Sequence, residues 1–244
     1  MTTPLTARAP RLRGARSLFT GRAGGVSGGD FAGLNLARHV GDEEADVERN
    51  RALLATEVGL PLAFVDQVHS PDVHVLPESG PVPLVTADAL VTDRRDVALA
   101  IMVADCLPVL LVDPEAGVIG AAHAGRRGLL DGVLQETVRA MASLGAVPAR
   151  IGAAIGPSIC GACYEVPAAM REESAAQLPV LAATTSWGTP SLDLTAGAVA
   201  ALVGAGVPAD AVEDRHPCTL EDEDFFSYRR SARTGRLAGV IARA

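Results

Sequence analysis

The chain has no lysine: all 21 of its basic residues are arginine, and 29 acidic residues leave a net charge of −8. That balance argues against a general nucleic-acid binder, because neutralising phosphates needs a cationic face. Any phosphate bound here must be held by guanidinium forks or backbone N–H groups. Long apolar runs are also missing. The longest, Val97 to Val112, is cut by Asp105 and Pro108, so no segment reads as a membrane span. No apolar signal region follows the N-terminus, so the chain is expected to stay in the cytoplasm. Its four cysteines (106, 160, 163 and 218) are then expected to be thiols. Cys160 and Cys163 form a C-x-x-C with no second pair to complete a structural zinc site; they read as ordinary thiols near a turn or as a redox pair. Aromatic residues are scarce at 3%, yet Phe225, Phe226 and Tyr228 cluster after the acidic stretch Glu221 to Asp224. A flat ligand could stack there, or the segment could be a core strand.

What is present is enough for a folded body. The 244 residues are 48% hydrophobic and 20% charged, which suits a globular chain that needs no staple. The first 29 residues hold five arginines and no acid, so residues 1–17 are expected to be a flexible basic tail ahead of one domain over 18–244. Asp42 is placed to cap a helix from about Glu43 to Val58, stopped by Gly59 and Pro61. Phe64 to Leu76 alternates like a strand. The apolar runs Ala87 to Thr92, Val97 to Val112 and Val118 to His123 are too closely spaced for helices between them, which predicts antiparallel or mixed sheet. Leu130 to Leu144 carries a helical stripe. Ile151 to Ile155 and Leu237 to Ala242 read as strands; Pro167 starts a helix to about Leu178, and Asp193 caps another to about Val203. Pro77 to Pro83 and Leu178 to Pro190 read as loops. Sheet and helices alternate only in part, which favours an α+β fold over a doubly wound one.

Three side chains carry the chemistry. His69 precedes Cys106 by 37 positions and His123 follows it by 17, each on a strand-like segment ending at a turn. Two imidazoles and a thiolate would fill three corners of a zinc tetrahedron and leave the fourth open, the ligand count of a catalytic site. The spacing matches no short zinc-finger template, and strand histidines and buried cysteines also serve simply as packing. Asp105, beside Cys106, and Glu165 are candidate carboxylates for proton handling; as a strand neighbour of Cys106, Asp105 is expected on the opposite face. Arg22 by a glycine turn, Arg126 and Arg127 between Gly125 and Gly128, and Arg229, Arg230 and Arg236 are candidate anion holders or plain surface charge.

Taken in order, several phrases resemble the YfiH/laccase-domain family, described as multicopper polyphenol oxidases and as purine nucleoside phosphorylases. They are Phe19-Thr20-Gly21-Arg22, Gly33-Leu34-Asn35-Leu36, His39-Val40-Gly41-Asp42, Gln67-Val68-His69, Ala104-Asp105-Cys106-Leu107-Pro108, His123-Ala124-Gly125-Arg126-Arg127-Gly128, Ile155-Gly156-Pro157, Tyr164-Glu165-Val166 and Phe225-Phe226-Ser227-Tyr228-Arg229-Arg230. The resemblance covers the chain from about Leu18 to its end. It implies a zinc or copper site at His69, Cys106 and His123. It also implies a layered α/β sandwich of mixed sheets with outer helices, similar to the fold of certain cysteine-dependent deamidase toxins. The implied activity is phosphorolysis of adenosine, inosine and methylthioadenosine, with adenosine deamination beside it. Arg22, Asn35, Arg127, Tyr164, Phe226 and Arg229 are then expected to hold substrate or phosphate, with Cys106, Asp105 and Glu165 at the chemistry. One departure stands out: Arg126 occupies a position where the family usually has tryptophan.

The leading expectation is therefore a zinc-dependent purine nucleoside phosphorylase and adenosine deaminase, working on small molecules as a monomer or weak dimer, without nucleic acid or membrane. A copper-dependent phenol oxidase is the second reading, although five histidines are too few for a several-copper laccase. A third makes Cys106 a nucleophile with His69 or His123 as base, a hydrolase for peptidoglycan precursor editing. A scaffold that keeps an old site is the fourth.

Overall fold

Residues 5–244 are described by a computed structural model. The segment expected as a tail joins the fold from Leu5 onward. β1 (Thr6–Arg8) pairs with β2 (Ala15–Thr20), Leu5 and Leu12 are buried, and Arg8 forms an ion pair with Glu213. Apolar residues alternating with arginines let this segment join a sheet edge; residues 1–4 lie outside the described residues. α1 (Glu44–Val58) buries Val47, Asn50, Leu54 and Val58 along one stripe, and left-handed Gly59 closes it. Asp42 sits one residue too early to cap it. Its carboxylate instead accepts from Ser27, Asn35 and the Glu43 N–H.

β3 (Leu62–Ala63) and β4 (Val73–Val75) replace the long strand expected over Phe64 to Leu76. β5 (Ala89–Thr92), β6 (Ala98–Val103), β7 (Leu107–Asp113) and β8 (Val118–Ala124) follow as expected of apolar, β-branched runs. The helix expected over Leu130 to Leu144 is α3 (Val133–Ser143), which starts after left-handed Gly132 with φ 95°; a short helix, α2 (Arg126–Leu130), precedes it. β9 (Gly152–Ile155), α4 (Ala168–Gln177), β10 (Ala182–Thr184), β11 (Pro190–Leu192), α5 (Leu194–Gly204), β12 (Val212–Glu213) and β13 (Leu237–Arg243) complete the chain. Asp193 caps α5 by accepting from Ala196 N–H. The loop expected from Leu178 to Pro190 holds β10, paired antiparallel with β11.

The fold is α+β with mixed sheets. Beside the two-stranded β10–β11 sheet there are two large ones, of order β1-β2-β13-β6-β3 and β12-β9-β7-β8-β5-β4; their edge pairs β3–β6, β12–β9 and β5–β4 are parallel and the rest antiparallel. Strand periodicity sorts the side chains into layers. On β6, Leu99, Ile101 and Val103 join a core with Phe19, Leu90, Leu110, Ile119 and Ile241, which lies between the two sheets. The alternate residues Ala98, Ala100 and Met102 pack with Leu54 and Val58 of α1. On the far side, Val109, Leu111 and Ala122 pack with α3 and α5. The order is helix, sheet, sheet, helices, so both sheets are covered on both faces. That is why their strands read as continuous apolar runs and not as alternating ones.

Candidate metal centre and cavity

Two of the three predicted ligands sit where the chain leaves one sheet for the other. His69 lies between β3 and β4, and Cys106 between β6 and β7, each pair of strands being divided between the sheets. His123, on β8, shares the parity of Ile119 and Ala121 and so points into the inter-sheet layer. The crossings are made by unusual backbone. His69 and Asp105 are the two non-glycine residues with positive φ among those described, at 64° and 88°. Such conformations cost roughly 1–3 kcal/mol each and persist only where the surroundings impose them.

Asp88 imposes the first. Its fully buried carboxylate accepts from the N–H groups of Val68, His69 and Ser70 at 3.1, 2.9 and 2.7 Å, which bends the chain at His69. The same carboxylate meets Nδ1 of His123 at 2.7 Å. Burial opposes its charge, but these bonds hold its pKa down to about 2. An ionised Asp88 makes Nδ1 of His123 the protonated nitrogen, so Nε2 is the one left for the site. The sequence reading missed Asp88. Its signal was an acid inside the apolar run Ala87-Asp88-Ala89-Leu90, a place where an unpaired charge would be prohibitive.

Sγ of Cys106, Nε2 of His69 and a ring nitrogen of His123 lie within 4.8 Å of one another, and Cys106 Sγ is 3.7 Å from His69 Nε2. Ordinary Zn–S and Zn–N bonds at a tetrahedral angle would set sulfur and nitrogen about 3.6 Å apart. Gly125 makes this approach possible: a Cβ there would stand 2.5 Å from Cδ2 of His69 and 3.0 Å from Sγ of Cys106. Burial raises the Cys106 thiol pKa, but His123 and His69 bring it down to about 6. Burial lowers His123, yet Cys106 and Asp88 raise it to about 9. Each group thus favours the charged form of the other. The donors fit a borderline divalent cation such as zinc, which would take the place of the His123 proton.

The three candidate ligands open into a cavity of about 380 Å³, walled further by His39, Gln67, Tyr164, Tyr228, Arg229 and Arg236. The Arg229 guanidinium lies 4.9 Å from the Tyr164 ring centroid and that of Arg236 5.9 Å from the Tyr228 ring. Burial and the Arg236 charge push His39 below its ordinary pKa.

Several expected site residues stand elsewhere. Asp105 lines the cavity beside Cys106, not on an opposite strand face, because the chain turns there. Both its oxygens are committed, to the Thr219 hydroxyl and the Arg229 N–H, each at 2.6 Å. Glu165 is exposed, accepts from Trp187 Nε1 at 2.6 Å and lies outside the cavity. Arg127 faces solvent, since α2 starts one residue before it, and Arg126 donates to Ser174 of α4. Phe226 is fully buried in the inter-sheet core, with Arg22 stacked over it at 5.0 Å, so neither walls the cavity. Asn35 is also fully buried; its amide bonds Ala37, Asp42 and the Arg236 N–H, which makes it a support for the Arg236 wall. Tyr164 and Arg229 are the two of the six expected substrate residues that line the space.

Residues 16–244 match the family model described as multi-copper polyphenol oxidoreductase laccase. The chain belongs to this family. Among its relatives, a Streptomyces griseus protein named purine nucleoside phosphorylase ORF3 is 50% identical over 241 residues, 96% of each chain. A Corynebacterium glutamicum protein, also named a purine nucleoside phosphorylase, is 47% identical over 95% of this chain and 96% of its own. The crystal structure of YlmD from Geobacillus stearothermophilus superposes with a TM-score of 0.87 at 33% identity, over 98% of both chains. That of the Bacillus licheniformis protein YfiH gives 0.86 at 32% identity, over 94% of this chain and 93% of that one. This family member has no helix among the described residues long and apolar enough to cross a membrane.

Proposed function

We propose that the protein is a zinc-dependent purine nucleoside phosphorylase, taking adenosine, inosine and methylthioadenosine, and that the same site deaminates adenosine. The observation that carries this reading is the meeting of His69, Cys106 and His123 at the floor of a cavity walled by two arginines and two tyrosines. The curated names of relatives about half identical supply the substrate class. The volume lies within the range of small-ligand pockets.

Zinc held by His69, Cys106 and His123 would supply a Lewis-acidic open position for water or a substrate oxygen. The residues do the rest. Asp88 fixes the ring orientation and tautomer of His123 and the bend that presents His69. Arg229 and Arg236 give the cavity its fixed positive charge and hold the phosphate dianion, the task that lysine would share in another chain. Tyr164 and Tyr228 offer flat walls for a purine. A phosphate oxygen then bonds to the anomeric carbon as the glycosidic bond to the base nitrogen breaks, and the arginines steady the anion. Asp105 holds the Arg229 backbone in place and is a positioning residue. In deamination, the oxygen of water adds to the purine carbon that bears the amino group, and ammonia leaves. Cys106→Ala should abolish phosphate-dependent release of adenine from adenosine, and persistence of that release at the wild-type rate would contradict the proposal.

A second reading rests on one observation. Cys106 Sγ and a ring nitrogen of His123 lie within 4.8 Å, and His123 Nδ1 meets Asp88 at 2.7 Å, the order of a nucleophile, base and orienting acid. It makes the protein a cysteine hydrolase. Metal analysis separates the two, because a thiolate bound to zinc is not free to attack: rapid thiol alkylation at Cys106 in protein as purified would favour the hydrolase.

A further inference from the structure

The C-x-x-C that stands alone in the sequence is not alone in space. Cys160, Cys163, Cys218 and Glu221 each offer a donor atom, and these atoms lie within 4.8 Å of one another. We propose that these four residues form a second, structural zinc site, separate from the His69, Cys106 and His123 centre and independent of the function assigned to it.

Several features support it. Both arms have the same chelating spacing, Cys160-x-x-Cys163 and Cys218-x-x-Glu221. Each arm is a turn: Cys163 N–H donates to Cys160 O at 3.0 Å, and Asp222 N–H donates to Cys218 O at 3.0 Å. A backbone bridge between Ser158 and Cys218, with Thr219 N–H donating to Ser158 O at 3.0 Å, holds the arms side by side. Cys160 N–H already donates to Sγ of Cys218 at 3.4 Å, the kind of bond that steadies a thiolate ligand. Zn–S bonds of ordinary length put tetrahedral sulfurs about 3.8 Å apart, so the donors need move by no more than about 1 Å. Three thiols cannot be satisfied by one disulfide, whereas three thiolates and a carboxylate fill a closed tetrahedron and select a thiophilic cation. Binding would release the three thiol protons to solvent.

The site would brace the catalytic cavity. Tyr164, a cavity wall, directly follows Cys163, and Thr219, which holds Asp105, directly follows Cys218. The metal would therefore pin two loops that shape the wall without touching substrate.

The test separates the two sites. The Cys106→Ala chain, purified in reductant without added metal, should retain about one equivalent of zinc by elemental analysis. After chelator stripping, one equivalent of Co2+ should restore a thiolate-to-cobalt absorption band that Cys218→Ser, added to the same chain, removes. A Glu221→Gln chain guards against misfolding of the cysteine variant: it should fold, keep the band and hold Co2+ at least about tenfold more weakly. A Cys106→Ala chain that folds with no bound metal and three freely titrating thiols would overturn the proposal, as would a Cys160–Cys163 disulfide in that preparation. Neither result bears on whether Cys106 is needed for phosphorolysis.

Discussion

At the scale of single residues, the centre depends on two that no ligand count would reveal. Asp88 orients one ligand through its ring and another through its backbone. Asp88→Asn removes the charge while nearly preserving the shape, and is expected to weaken zinc affinity or lower kcat by roughly 10–100-fold, read by chelator competition and initial rates. Gly125 acts by having no side chain. Gly125→Ala places a methyl group within 3.0 Å of both His69 and Cys106, so it should abolish metal binding while leaving the circular dichroism spectrum unchanged. The sequence was legible here to the extent that chemistry is local. His69, Cys106 and His123 were marked by donor type together with the family resemblance, and their meeting depends on the two crossings between the sheets, which the sequence did not reveal. Glu165, Arg127 and Phe226 have equally suggestive chemistry, but their places were decided by Trp187, by the phase of α2 and by the inter-sheet core, which are matters of tertiary packing.

At the scale of elements, the apolar runs revealed the strands but not the sheet each one joins. Val97 to Val112 reads as one interrupted run, yet β6 and β7 belong to different sheets and the Asp105 turn carries the chain across. Likewise the alternation over Phe64 to Leu76 is real, but Asp88 takes three of its backbone N–H groups and breaks the strand where the ligand is needed. A similar device closes the β7–β8 hairpin. The fully buried carboxylate of Asp113 accepts from the N–H groups of Glu115, Ala116 and Val147, and from Arg150. Asp113→Ala is expected to destabilise the protein by roughly 3 kcal/mol, seen as a lower urea midpoint, because it strands buried donors. Burial raises the Asp113 pKa, but those bonds lower it further, so its folded value lies below the unfolded one. Its contribution is therefore present above the unfolded pKa and is lost as pH falls through the folded value. The stability gap between wild type and Asp113→Ala should shrink in acid, below about pH 4.

At the scale of the whole molecule, the centre joins the two sheets. His69 and Cys106 sit on crossings between them, and His123 points into the layer they enclose. A ligand held there binds the folded state and not the unfolded one, so removing it should lower Tm, and restoring zinc at 100 times its dissociation constant should return about 2.7 kcal/mol. The layering with outer helices was implied by the family resemblance, and the continuous apolar strands agree with it, since strands apolar on both faces require cover on both. Its topology was not legible, because β1, β3, β4 and β12, which set the edges of the two large sheets, are two or three residues long. The most direct test of the whole account is the rate of adenine release from adenosine in phosphate, measured on chelator-stripped protein as zinc is added back. The account predicts no phosphorolysis without metal and recovery on zinc addition in the wild type but not in Cys106→Ala. Full activity in the stripped protein would contradict it.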